Sequence, residues 1–360
     1  MTLRGGWRLL ACSACLASHA ISAEPASAWT DQVTLAGDLR LRYESIRKEP
    51  GADDDRGRYR ARFGLRVDAT DAVEFGIRLA SGDGNPVSTN LTFGKSFSPD
   101  NVRIDRAYVA WSVNDALTLT AGKMENPLTR VGDNPLLWDS DLNPEGVAAS
   151  FASGRFAGTA GAFRLDDRDD GVESWLYATQ AGVEFDVSAS TTFSAGIGWF
   201  DYTGVAGKAP LFGDDANGNS VDAAGNYLND YDILEFFAEY ESAMGRWPVT
   251  LFADWARNTR AARGDTAWAT GVTVGKAEEA GSAEWSWEWR DTEADALVGI
   301  FTDSDLADGN TDSRGHVLQG TYMLTGHVAV AATLIFSEYG LIDDPHTDFD
   351  RVMLDIEFSF

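Results

Sequence analysis

From Gly57 to Ala69 the chain alternates strictly. Tyr59, Ala61, Phe63, Leu65, Val67 and Ala69 are apolar, while Arg58, Arg60, Arg62, Gly64, Arg66 and Asp68 between them are polar or small. A period of two places the first set on one face of a β-strand and the four arginines on the other. The pattern returns down the whole chain, so many strands each need an apolar surrounding on one side and water on the other. A soluble sandwich would hide those faces in a core. A closed barrel in lipid turns them outward and pairs every backbone group without leaving an edge. No run of about 18 apolar residues exists, so no transmembrane helix is expected. The 44% apolar content, with 12 Trp, 19 Phe and 36 Gly, suits many short strands and turns.

Period-two reading gives about sixteen strands: 33–44, 57–69, 72–80, 103–113, 116–124, 146–153, 156–164, 174–187, 191–202, 230–242, 248–257, 266–277, 282–291, 314–325, 328–337 and 350–360. The thirteenth carries Trp285, Trp287 and Trp289 on one face, at home against lipid. Connections alternate between short turns (Thr70-Asp71, Asn114-Asp115, Gly154-Arg155) and long segments (45–56, 81–102, 125–145, 203–229, 292–313, 338–349). The fold class expected is therefore an all-β transmembrane antiparallel barrel with short periplasmic turns and long external loops. A strand of about ten residues, rising roughly 3.3 Å each and tilted about 40°, spans the ~25 Å apolar band. The last strand places Val352, Leu354, Ile356, Phe358 and Phe360 on one face, and its pairing with the first would remove the edge.

Residues 1–23 read as a signal peptide, with Arg4 and Arg8 before a short apolar core and cleavage after Ala23 or as late as Ala28. Residues 24–360 are then one barrel domain. Both cysteines, Cys12 and Cys15, leave with the signal, so no disulfide and no thiol chemistry is expected. The net charge of −27 becomes −29 and argues against nucleic acid. His316, His327 and His346 are isolated and no nucleophile motif is present, so neither an enzyme nor a cofactor is expected.

Several stretches resemble the bacterial "putative porin" family: Gly37-Asp38-Leu39-Arg40-Leu41-Arg42-Tyr43-Glu44, Arg60-Ala61-Arg62-Phe63-Gly64-Leu65, Gly84-Asn85-Pro86-Val87, Ile104-Asp105-Arg106-Ala107-Tyr108, Gly122-Lys123-Met124-Glu125-Asn126-Pro127 and Trp138-Asp139-Ser140-Asp141-Leu142-Asn143-Pro144. The resemblance implies an outer-membrane barrel with a pore. The terminal aromatic strand resembles the signal read by the barrel-assembly machinery, with Phe360 as its last residue. Outer-membrane lipid and small hydrophilic solutes are the implied partners. Porin trimers are common, and an aromatic-rich lipid face leaves room for a homotrimer without requiring one.

The inward face of the first four strands carries Arg40, Arg42, Arg58, Arg60, Arg62, Arg66, Arg78 and Arg106, a basic ladder. Inward positions on strands eight to sixteen are acidic, among them Glu184, Asp186, Glu239, Asp254, Glu284, Asp355 and Glu357, which suggests an opposite wall of the other sign. The loop 125–145 combines Glu125, Asp133, Asp139, Asp141 and Glu145 with an apolar centre, Leu136-Leu137-Trp138. That centre needs something to pack on, so the loop is expected to fold inward, narrow the pore and face the arginines. A weak calcium-loop pattern at Asp215, Asn217 and Asn219 lacks the closing bidentate Glu and is equally a turn. The function expected is passive diffusion of small hydrophilic solutes or ions. The alternatives are a channel specific for an anionic solute such as an acidic sugar or carboxylate, and an adhesin or enzyme barrel.

Overall fold

The computed structural model describes residues 29–167, 173–213, 215–342 and 345–360. The signal segment, with Arg4, Arg8, Cys12 and Cys15, lies outside them. A short 3-10 turn, Trp29–Gln32, precedes sixteen long strands. These are β1 (Val33–Glu49), β2 (Asp54–Thr70), β3 (Val73–Ser81), β4 (Val102–Asn114), β5 (Leu117–Lys123), β6 (Glu145–Ser153), β7 (Phe156–Asp167) and β8 (Glu173–Ser188). They continue as β9 (Thr191–Thr203), β10 (Tyr231–Met244), β11 (Trp247–Asn258), β12 (Thr266–Gly275), β13 (Ala283–Thr292), β14 (Ser313–Thr325), β15 (Val328–Tyr339) and β16 (Thr347–Ser359). Each pairs antiparallel with its sequence neighbours. Pairing of β1 with β16, from Asp38 opposite Ser359 to Glu49 opposite Asp348, closes the barrel. Closure removes the edge that the apolar face of β16 would otherwise expose.

The outward residues are those the alternation places there. Leu39, Phe63, Ile77, Trp111, Trp285 and Phe358 are all exposed, a distribution that only an apolar solvent accommodates. One expectation is corrected. The first long connection was expected over 45–56, but β1 and β2 run on to Glu49 and from Asp54, leaving a four-residue loop. Charged pairs across the two strands, Arg47 to Asp55 at 2.9 Å and Arg56 to Glu44 at 2.7 Å, hold that extension together. Polar alternation beyond the lipid belt carries no inside-outside signal, which is why it reads as loop.

At the seam, Gly37 and Phe360 exchange backbone hydrogen bonds, N to O at 3.2 and 3.1 Å. A Cβ on Gly37 would lie 2.6 Å from the Arg62 carbonyl oxygen and 2.8 Å from the Phe360 ring. Gly37→Val is therefore expected to cost about 1–3 kcal/mol through overpacking. It should lower the temperature at which the folded band converts to the unfolded one on a gel.

The main buried cluster lies inside the barrel, toward the long-loop end. Phe163, Leu176, Phe200, Tyr202, Tyr231, Ile233, Phe237 and Phe252 point inward and meet apolar residues of the loops 124–144, 204–230 and 293–312. The inner face is thus apolar where loops fill it, and the simple rule of polar inside fails there.

Candidate functional site

The loop 124–144 leaves β5 and enters β6 at the same rung, since Lys123 and Glu145 are register partners. Its local shape is written in Asn and Asp. The side-chain oxygens of Asn126, Asn134 and Asp139 accept the backbone N–H two residues on, at 3.1, 2.9 and 2.7 Å. Such turns fold the segment without strand or helix. The barrel wall then anchors it. Gln180 accepts the Thr129 N–H at 2.7 Å and donates to its carbonyl at 3.0 Å. Glu239 accepts the Gly132 N–H at 2.6 Å, and Asn134 donates to Asp254 at 3.2 Å.

Leu136, Leu137 and Trp138 are buried, with Trp138 edge-on to Phe200 at 5.2 Å and stacked near Tyr202 at 6.5 Å. The loop is therefore inside the lumen, against β8 to β11. Trp138→Ala is expected to cost about 3–5 kcal/mol of local stability. The loop should become cleavable by protease while the barrel keeps its folded gel mobility. Gly132, at φ +59, has Phe252 Cδ1 2.2 Å from where a Cβ would stand, so it must be glycine.

Two further loops meet this one, and the alternation missed both. The Asp139 N–H donates to the Phe301 carbonyl at 2.8 Å, and the Asp139 carboxylate accepts from Ser304 N–H at 3.0 Å. The Ser304 hydroxyl donates to the Val87 carbonyl at 3.1 Å, and the Thr89 hydroxyl donates to Asp141 at 3.1 Å. The segments 82–101 and 293–312 are thereby tied to 124–144. Leu306 and Ala307 pack on Ile335 and Met353 from β15 and β16. A signal was available: Ala294 to Phe301 contains an apolar run inside a long loop, as Leu136-Leu137-Trp138 does.

The arginines are brought together, and seven of the eight meet carboxylates. Arg42 binds Asp355 at 2.7 Å and Asp305 at 3.3 Å. Arg58 reaches Glu44 at 3.3 Å, and Arg60 reaches Asp38 at 2.9 Å and Glu357 at 3.2 Å. Arg62 binds Asp38 at 2.6 Å and Asp141 at 3.3 Å. Arg78 pairs with Asp105, Arg106 with Glu125 at 2.7 Å, and the more exposed Arg66 with Glu74 at 3.6 Å. Arg40 alone has no carboxylate among the described residues; it donates to Asn90 at 2.8 Å.

Register explains the crowding. Arg40 stands opposite Arg60 and Arg42 opposite Arg58, which would repel. Closure of the barrel then sets Glu357 and Asp355 opposite Arg40 and Arg42 from the other side. The acidic wall was expected opposite the ladder; β16 instead adjoins it, because the last strand must pair with the first.

Of the acidic loop residues, Asp141 and Glu125 meet the ladder. Asp139 binds backbone instead, Asp133 lines the open lumen, and Glu145 pairs at the strand end with Lys123 at 2.8 Å. Asp215, Asn217 and Asn219 do not converge on one point. Asp215 accepts the Asn217 N–H at 2.9 Å. The Asn219 side chain donates to the carbonyls of Ala294 and Leu297, both at 2.7 Å, and accepts the Gly299 N–H at 2.9 Å. The three bind the loop network rather than pointing at a common cation. On the outer surface, Glu338, His346 and Asp348 bring ligand atoms within 4.8 Å of one another; His346 Nε2 is 3.1 Å from Glu338.

Burial raises the Asp139 carboxyl well above its ordinary 3.8, and neighbouring Asp303 adds to it. Burial also acts on Asp305, but Arg351 and then Arg42 outweigh it and hold the carboxyl low. A carboxyl depressed on folding stabilises above its unfolded value and loses that contribution only as pH falls through the lower, folded value. The Asp305 clamp on loop 293–312 is therefore expected to persist at pH 4 and release only in stronger acid. Proteolytic sensitivity of 293–312 measured across pH 7 to 2 checks this.

Below these loops a cavity of about 1410 Å³ opens at the short-turn rim, past Ser188, Ser190 and Ser359, and rises to Arg40, Arg42, Ser140 and Asp305. A sixteen-strand barrel with a water-accessible lumen and a loop folded across it is the architecture of a diffusion channel. The model of the family described as "Putative porin" matches residues 48–223 and 231–360.

The chain belongs to the putative porin family.

In fold, this porin is similar to a variant of the Rhodopseudomonas blastica porin. The identity is 12%, the TM-score 0.53, and the match covers 91% of this chain and all of that one. It is also similar to Pseudomonas putida OprB at 11% identity and TM-score 0.59, covering 92% and 95%. Salmonella typhi OmpF, solved with daunomycin, matches at 10% identity and TM-score 0.57, covering 92% and 99%. At these identities the likeness is one of fold. No curated protein matches the sequence. Family and fold are those of outer-membrane channel proteins rather than enzymes.

Proposed function

We propose that this porin forms a water-filled channel for passive diffusion of small hydrophilic solutes and ions. The observation that carries this reading is the polar cavity of about 1410 Å³ inside a closed barrel, with residues of loop 124–144 in its lining. Selection then works by size at the narrowing and by charge on its walls. The arginines support it as fasteners: those that reach Asp141, Glu125 and Asp305 tie the infolded loops to β1, β2 and β4. The anion-specific alternative rests on Arg40, whose Nε is buried without a hydrogen-bond partner.

Export would use residues 1–23, and insertion would use the β16 strand ending at Phe360 as the feature read by the barrel-assembly machinery. The aromatic lipid face would hold the barrel in the bilayer and could carry the contacts of a trimer. Bilayer recording with a panel of solutes tests the reading. A general channel conducts ohmically and no anionic solute blocks it. Block by anionic solutes, weakened by Arg40→Ala, would favour the anion-specific channel. Absence of any stable conductance would overturn both.

A further inference from the structure

The sign of the solute this porin favours can be read from the cavity, given the channel reading above. Twelve acidic and five basic side chains line it. Three of the five basic groups are already matched. Arg42 holds Asp355 and Asp305, Arg290 holds Glu288 and Asp303, and Lys276 lies 2.6 Å from Glu278. Only Arg40 and Arg130 remain. Against them stand Asp133, Asp186 and Glu241, none of which has a cationic partner among the described residues. Even with Asp139 protonated, and with Glu125 and Glu357 set against Arg106 and Arg60 behind the lining, carboxylates outnumber cations.

Their placement matters as much as the count. Asp186, Glu241 and Glu284 lie near the short-turn ends of β8, β10 and β13, around the open rim. Most of the ladder lies deeper, within ion pairs. Fixed charge lining a confined aqueous space concentrates counter-ions, and low-dielectric walls strengthen the field.

We infer that the channel prefers cations, and that a carboxylate-lined vestibule on the short-turn side concentrates small organic amines as well as inorganic cations. The arginine-rich strands, which by count promise an anion path, are neutralised by Asp38, Glu44, Asp105, Asp141, Asp355 and Glu357 and do not set the sign. The preference weakens as salt rises, because the screening length falls from about 8 Å at 0.15 M to about 3 Å at 1 M.

The test is the reversal potential of the full-length protein in a planar bilayer under a KCl gradient, followed by addition of 1,4-diaminobutane to either side. The expected result is a potassium-to-chloride permeability ratio several-fold above one. The double variant Asp186→Asn, Glu241→Gln should lower it toward one, and the diamine should reduce current more strongly from the short-turn side. A chloride preference, a ratio of one, an unchanged ratio in the double variant, or equal block from both sides overturns the inference while leaving the channel intact. A bilayer without conductance removes the channel reading and this inference with it.

Discussion

Replacing residues 130–142 with a short Gly-Ser linker should raise single-channel conductance several-fold. The loop occupies the lumen between β8–β11 and the arginines, and conductance of a water-filled pore grows with its open cross-section. Removing it takes Leu136, Leu137 and Trp138 out of the buried cluster and removes the loop partners of the wall groups Glu239 and Asp254. It also deletes Asp139 and Asp141, which tether 293–312 and 82–101, so those loops should loosen as well. The barrel should survive, because Lys123 and Glu145 already pair directly and a short linker closes the gap without strain. Unchanged conductance from a correctly folded barrel would mean that the narrowest section lies elsewhere.

The second large effect is expected at Glu44. Its carboxylate is fully buried and lies 2.7 Å from Arg56, 3.1 Å from Arg351, 3.3 Å from Arg58 and 3.5 Å from Arg42. Four guanidinium groups from β1, β2 and β16 thus share one anion at the closing seam. Glu44→Gln keeps the shape and removes the charge. Breaking a buried pair by removing one partner costs about 3–5 kcal/mol, chiefly from the cations left uncompensated. Asp305 and Asp54 soften this only for Arg351, Arg42 and Arg56. Heat or urea unfolding followed by gel mobility should show the loss. A change below about 1 kcal/mol, the scale of a surface pair, would mean that water reaches the cluster.

The loops show where sequence and tertiary structure part. The Leu136-Leu137-Trp138 centre of 124–144 is visible as an apolar segment needing a partner, and Trp138 packs on Phe200 and Tyr202. The run 294–301 carries the same signal and went unread, because the long loop around it looks merely polar. The inward apolar residues of β9 and β10, Phe200, Tyr202 and Ile233, make both strand faces apolar near the loops. That double apolarity marks a filled lumen, yet it blurs the alternation from which the strands themselves are read.

Alternation alone determined the sixteen strands, the outward and inward faces, the antiparallel barrel and, apart from the loop after β1, which connections are short. The reason is that a period of two is local: each residue reports its own face. Only the tertiary structure decided which charges meet. Arg42 and Asp355 are 313 positions apart, Arg62 and Asp141 79 apart, and neither pair exists until β16 closes on β1 and the loop folds in. Counted along the chain, the first four strands are a basic ladder. Closed into a barrel, seven of the eight arginines stand in ion pairs, and those to Asp141, Glu125 and Asp305 hold the loops.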